Sequence, residues 1–525
     1  MRVRLLVVLA TGWVFMPIAQ AQVRPEEAPE LEAETGTETE TEIETDVPVF
    51  SARAVTSRAP APSLPAATSD FELAIGALRR VPRRTTESLL TLAPGLFLVN
   101  HAGEYHASTI YLRGFDAGEG QDLEVRVAGI PINEPSNAHG HGYADAHFVI
   151  PELVRSVRIT EGAFAPEQSD FALAGTASYQ LGVRTRGVRA RGEIGSFRQR
   201  RVMLLWAPAG AEDGTFVGFD LRDSAGFGVQ RASTSVALNA GYEHVASREL
   251  RVSVLGFAHF ADFASAGVVR EDDVLARRLP CPPDETSQFF CSPDPTQGGS
   301  SARTLLSASL TWTRPGTRLE QTIWGGYRRL RIRENFTGTL LDPRGDGLDE
   351  QVDTGTAGLR GRYVAEVRAF DDQAQQLELG WIARHDSGTT RAWRLRTGTD
   401  VPWGASFDDE IHVTHVGAHA AADVRFTPWL ALRAGLRADA FAFSTIARDE
   451  PASDREGERV PARANGANSP SESAVASELR VPRPALVCHS SSAGSRATTR
   501  APPARGGSAP APTCPGARRS TTRST

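Results

Sequence analysis

Between Gly187 and Asp449 the chain carries one strand-length segment after another and no helical periodicity. Val202–Trp206, Phe216–Leu221, Ser233–Tyr242 and Glu249–His259 come first, then a long loop. Leu305–Trp312, Leu319–Tyr327, Ala357–Val367, Gln375–Ala383, Ile411–Val424 and Leu430–Ala442 complete the series. Many alternate: Val236, Leu238, Ala240 and Tyr242 fall on one face, Ala237, Asn239 and Gly241 on the other. A strand of period two presents one apolar and one polar face, so the series fits a sheet with one wet face. It fits equally a barrel wall between lipid and lumen. Beyond the N-terminus no run of 18 apolar residues occurs, which excludes a spanning helix but not spanning strands of ~9–11 residues.

The ends of the chain read differently from this middle. Arg2 and Arg4, the apolar run Leu5–Ile18 and Ala19-Gln20-Ala21 have the order of an export signal cleaved after Ala21. Residues 22–70 form a leader, acidic and Thr-rich over Glu26–Asp46 and rich in Ala and Pro over Arg58–Pro65. It lacks the apolar surface that would offset its ordering entropy. Residues 451–525 contain no Phe, Trp or Tyr, and the composition predicts neither a core nor a barrel strand. The tail reads as disordered and basic, or as GC-rich DNA translated out of frame. The second reading agrees with a chain whose 57 basic residues include no lysine. Net charge of −6 argues against a nucleic-acid partner, and four cysteines in 525 residues against a disulfide scaffold.

Residues 71–183 have the composition of a compact α+β domain. Thr85-Thr86-Glu87-Ser88 before Leu89-Leu90-Thr91-Leu92 predicts a short capped helix stopped at Pro94-Gly95. Pro151 predicts a second short helix through its place at the first helical position. Ile110–Leu112, Leu123–Val127 and Ser156–Thr160 read as strands, separated by turns at Arg113-Gly114, Gly129-Ile130-Pro131 and Glu161-Gly162.

Several motifs here stand in the order and spacing of one family. Glu87–Leu96 resembles the opening helix and Pro-Gly turn of the plug domain of TonB-dependent outer-membrane receptors. Ile110–Phe115, with Arg113, Gly114 and Phe115, is similar to the family's I-x-I-R-G-F. Val127–Asn133, with Gly129, Pro131 and Asn133, is similar to its V-D-G-x-P-x-N, Ala128 standing where Asp is usual. Ile150–Val157, with Pro151 and Glu152, resembles P-E-x-I-x-R-V-E-V, and Gly162 follows where R-G-P lies. Ala174–Ala177 departs from the usual ending of the domain.

The resemblance implies an α+β plug (71–183) followed by an antiparallel transmembrane β-barrel (184–450), behind the signal peptide (1–21) and leader (22–70). It further implies the outer membrane, its lipid and TonB as partners, and active uptake of a small solute or metal complex. In the leader it aligns Asp46, Val47, Pro48, Val49, Phe50, Ser51 and Ala52 with the TonB-docking box, which would pair as an added strand. Val47 and Pro48 depart from the box, and Pro48 removes one backbone donor. His139 and His141 read as contacts for a ligand or metal complex, or as loop imidazoles bonded to backbone. No resident metal, cofactor or catalytic constellation is implied, so the chain reads as non-enzymatic. Cys281 and Cys291 bracket a Pro-rich loop and are expected to be joined in an oxidising compartment. The rival readings are a surface receptor that captures without transporting and a non-functional truncated product.

From Arg184 to Glu450 there is room for roughly 11–13 strands with their connections, against about 22 in outer-membrane transporters of this kind. The barrel is therefore expected to be incomplete, with about half the strands. An open half-wall leaves two unpaired edges in hydrocarbon, where each unsatisfied backbone group costs several kcal/mol. The expected outcome is that the 525-residue chain does not insert as a stable closed barrel, whereas a version restored in frame after codon 450 does. A heat-modifiable, protease-resistant species from the 525-residue chain in outer-membrane fractions would contradict this.

Overall fold

The computed structural model describes residues 70–75 and 84–448, apart from 284, 286, 339, 371–372 and 428–429, together with the backbone of 474–480 and 485–490. The export signal, the box at 46–52 and most of the tail lie outside the described residues.

The first domain contains β1 (Asp70–Ala74), β2 (Leu96–Val99), β3 (Thr109–Leu112), β4 (Phe115–Asp116), β5 (Leu123–Val127), β6 (Ile130–Pro131), β7 (Val154–Glu161) and β8 (Gly175–Leu181). Its main sheet runs β1-β7-β8-β5-β6, and β2, β3 and β4 make a smaller one. Only the β5–β8 pair is parallel among these contacts. Leu123, Val125, Val127, Val157, Ile159, Ala177 and Tyr179 form the core with Leu89, Leu90 and Phe148.

Two turns explain why the motifs take the residues they do. Arg113 and Gly114 have φ of 50° and 83°, and Ala128 and Gly129 have 50° and 82°. Both pairs are two-residue hairpin turns with positive φ at each central position, the geometry that matches the twist of the flanking strands. Gly occupies the second position of each at no steric cost.

The expected helices are present as 3₁₀ turns, Glu87–Leu92 and Pro151–Leu153. Thr86 does not cap the first, because its hydroxyl donates to the Val149 carbonyl instead (2.5 Å). Thr85 supplies the cap, its Oγ1 accepting from the Ser88 N–H (3.2 Å). Glu87 is drawn inward, accepting from Ala146 N–H and the Ser108 hydroxyl. Tertiary hydrogen bonds thus tighten a segment whose local signals favour an ordinary α-helical start.

The second architecture is an antiparallel wall of eleven strands in chain order: β9 (Gly187–Ile194), β10 (Arg200–Ala207), β11 (Phe216–Ser224), β12 (Ser233–Val245), β13 (Leu250–Ala264), β14 (Gly298–Arg314), β15 (Thr317–Glu334), β16 (Gly347–Ala369), β17 (Gln373–Leu395), β18 (Pro402–Thr427) and β19 (Leu430–Ala447). β20 (Ala474–Arg480) and β21 (Ala485–Ser490) pair with successive stretches of β19, a departure from the expectation that 451–525 supplies no strand; the open edge of β19 offers backbone pairing whatever the side chains. Among the described residues β9 has a neighbour on one side only. In β10 the alternation is complete: Val202, Leu204 and Trp206 are exposed, while Met203, Leu205 and Ala207 are buried against Ile150 and Leu153 of the first domain. Leu238, Leu306, Ile323, Leu379, Val416 and Leu436 continue the exposed apolar series, as a lipid-facing band requires. The opposite face is polar, with Arg201, Asn239, Arg303, Arg328, Arg384 and His415 all buried. One end of the wall carries the long loops 265–297 and 335–346, the other tight turns such as Arg314–Thr317. No helix among the described residues is long and apolar enough to cross a membrane.

Asn133 ties the first domain together. Its amide donates to the carbonyls of Gly120, Leu123 and Gly142 and its oxygen accepts from Val125 N–H, at 2.7–3.1 Å. The side chain is buried, so truncation strands backbone groups that water does not reach. Asn133→Ala is expected to cost about 2–4 kcal/mol. A lowered urea midpoint for proteolytic protection of the first domain would register it, and an unchanged midpoint would contradict it.

Candidate functional site

The first domain meets the polar face of the wall along a seam of acids and arginines, the acids coming from the domain and the arginines from the strands. Glu152, at the 3₁₀ turn opened by Pro151, takes two bonds from Arg201 of β10 (2.7 Å each). Glu134 accepts from Arg303 of β14 (2.9 Å) and lies 3.0 Å from Nε of Arg328 of β15. Asp145 is bonded by Arg328, whose guanidinium also lies over the Tyr143 ring. Arg384 of β17 donates to the Asn133 carbonyl (2.8 Å), and Arg360 of β16 to that of Glu167 (2.9 Å). Asn239 of β12 bonds the backbone at both Phe148 and Ile150. Burial alone would raise the Asp145 carboxyl, but Arg328 and Arg303 hold it well below the usual carboxylate range.

Beside this seam the histidines gather, though not in the pairing that their spacing suggests. His139 lies between two carboxylates: Nδ1 is 2.7 Å from Glu350 of β16, and Nε2 is 3.3 Å from Glu119. Burial disfavours its charge, yet those two carboxylates outweigh it and push the imidazole up to about 11. His141, two residues on, turns to the surface and contacts the Pro135 carbonyl at 3.1 Å. The near partner of His139 is His106, whose ring meets it edge-on at 4.8 Å between centroids. His106 is fully buried, and burial pushes it down to about 4 against the pull of Glu119. Asn100 fixes the loop that presents it, donating to the His106 carbonyl (3.1 Å) and accepting from Gly103 N–H (2.9 Å). Tyr143 braces both rings edge-on from below and accepts from Ala107 N–H (2.8 Å). His147 lies apart from this group, beside Glu87 and Asp145.

A cavity of about 600 Å³ opens between the domain and the wall. Asn100, His101, Glu104 and His147 line it from one side, Arg201 and Arg222 from the other.

The family model described as "TonB-dependent Receptor Plug Domain" matches residues 75–176. Residues 75–176 are a TonB-dependent receptor plug domain. Solved structures of such receptors share the fold. The ferric citrate transporter FecA in its unliganded form matches at 12% identity and TM-score 0.58, over 72% of this chain and 57% of its own. The ferric yersiniabactin uptake receptor FyuA from Yersinia pestis matches at 12% and 0.58, over 78% and 60%. The copper transporter OprC matches at 13% and 0.51, over 74% and 57%. The chain thus spans less than two thirds of the length of each. No curated protein sequence matches it.

Within the plug, the motif residues have mainly architectural positions. Arg113 reaches Glu161 (2.6 Å) from its turn, Phe115 is exposed on β4, and Pro131 lies in β6. Gly162 has a positive φ where an added Cβ would meet Phe164. Cys281 and Cys291 lie in the long 265–297 loop with their sulfurs 2.01 Å apart. Sequence reading missed Glu119, Glu134, Asp145, Glu334 and Glu350. The acids between Asn133 and Asp145 were a visible signal, but nothing local pairs them with arginines over 150 residues away.

Asp145 supplies a pH test. Its folded-state value is depressed, so its stabilising contribution is complete above the ordinary aspartate value of about 3.9 and is lost as pH falls through the folded value. Asp145→Asn removes one partner of a buried pair and is expected to cost about 3–5 kcal/mol at pH 7. The gap between variant and wild type is expected to narrow as unfolding is followed to lower pH. A gap independent of pH would contradict the assignment.

Proposed function

We propose that this protein is an outer-membrane receptor that takes up a scarce solute under TonB drive. The observation that carries this reading is the plug held in the polar face of the wall by a seam of buried charge, with a cavity at the seam. A cavity of that size accommodates a small organic molecule or a chelated metal; His101 and His147 are the histidines that line it, and His141, though exposed, lies outside that lining. The ion pairs of the seam, which stand beside the apolar contact of Ile150 and Leu153 with Met203 and Leu205, permit a pull on the leader to rearrange the plug, since charged contacts re-form with water as they break. The residues that would be pulled are Asp46–Ala52, aligned with the docking box. The apolar outer band and the alternation of β10 support a place in lipid, with the long loops outside.

A peptide of residues 42–56 is expected to bind the periplasmic domain of TonB by strand addition, with binding lost when Val49 and Phe50 become proline. Equal binding by both peptides would remove the docking step. TonB-dependent accumulation of a labelled solute in cells separates uptake from capture at the surface.

A further inference from the structure

His106 is held as a metal ligand is held. Its Nδ1 lies 2.8 Å from the Ala107 carbonyl, an acceptor, so Nδ1 carries the proton and Nε2 presents a lone pair. That Nε2 is fully buried and has no hydrogen-bond partner. It points at Oε1 of Glu334, 3.8 Å away, itself buried and without a hydrogen-bond partner. His139 completes the group. Single donor atoms of His106, His139 and Glu334 all lie within 4.8 Å of one another. Glu350 holds Nδ1 of His139, while Glu119 faces its Nε2 with an oxygen that also lacks a hydrogen-bond partner.

We propose that His106, His139 and Glu334 form a binding site for a divalent transition-metal ion, with Zn²⁺ as the fitting probe, that joins the plug to the wall. Two imidazoles and a carboxylate are the donor set of an open zinc site. Tetrahedral bonds of about 2.0–2.2 Å place donors roughly 3.4 Å apart, so the group closes by little more than 1 Å. With Nδ1 of His139 held by Glu350, its Nε2 is the nitrogen left to ligate, and a dication supplies the positive charge that Glu119, Glu334 and Glu350 call for. Glu350 then serves as the outer carboxylate that orients a ligating imidazole.

The site spans two architectures. His106 and His139 stand on plug loops, whereas Glu334 and Glu350 stand at the ends of the adjacent strands β15 and β16, where Glu334 pairs with Leu348 beside the 335–346 loop. A bound ion is therefore a cross-link between plug and wall at the long-loop end. The inference goes beyond uptake: it holds for a resident ion and for an ion in transit.

The full chain, purified in detergent without a polyhistidine tag, is titrated with Zn²⁺ alone against a chromophoric chelator. One Zn²⁺ per chain is expected, with His106→Ala and Glu334→Gln each weakening binding at least tenfold and His141→Ala leaving it unchanged. Zn²⁺ is also expected to increase protease resistance of the wild-type plug and not of Glu334→Gln, a shape-conserving change that decides the matter if His106→Ala fails to fold. Absence of saturable binding, undiminished affinity in Glu334→Gln, or loss of binding in His141→Ala would each overturn the proposal. Because the titration reads binding to purified protein, its failure leaves the uptake reading untouched.

Discussion

The pairing of wall arginines with plug carboxylates is the interaction on which the arrangement depends. A wall whose outer face is apolar must present its polar residues inward, and charge turned inward away from bulk water requires a partner. Arg201, Arg303 and Arg328 find theirs on Glu152, Glu134 and Asp145. Such pairs add little net stability over an apolar packing of equal volume, because desolvation offsets most of the Coulomb gain. They do set position: each guanidinium fork accepts one placement of its carboxylate. The plug is located in the wall by several such forks rather than by a shared hydrophobic core alone.

The same constraint accounts for β5. Leu123-Glu124-Val125-Arg126-Val127 alternates as a strand with one wet face would, yet every residue of it is buried. Glu124 and Arg126 pair with each other at 2.6–2.7 Å, and Arg360 of the wall stands 3.8 Å from Glu124. The face that reads as solvent-facing is covered by another polar surface. Alternation reports that the two faces of a strand differ, and it is silent on whether the polar one meets water or protein.

The histidine cluster shows how spacing misleads. His139 and His141 are neighbours in sequence, but one ring turns inward to Glu119 and Glu350 and the other outward to the Pro135 carbonyl. His106 is brought to His139 because Asn133 and Tyr143 bind the two loops to one scaffold. Glu334 and Glu350 reach the same point only because β15 and β16 pair with Glu334 opposite Leu348. Ligand convergence of this kind is a property of register between distant strands.

Local chemistry in the chain was enough for much of this. The Arg113-Gly114 turn, the strand at Leu123–Val127 and the ten wall segments rest on φ preferences and period-two alternation, which act between near neighbours; the turn expected at Gly129-Ile130-Pro131 lies one residue earlier, at Ala128-Gly129, because Ile130 and Pro131 pair with β5 as β6. Each wall segment lies in or one residue beyond a separate strand of the structure, while β9, with its Arg-rich Gly187–Ile194, lacked the apolar rhythm to be read. Strand lengths were not legible. β18 extends over 26 residues, whereas spanning takes ~9–11, and the excess carries no lipid-facing apolar series. Tertiary structure alone decided which arginine meets which acid, that Thr86 and Glu87 would leave a helix start for contacts with Val149 and Ala146, and that His106 would face Glu334. Those outcomes depend on groups brought together across scores of residues, and only the closed packing of plug against wall fixes their distances.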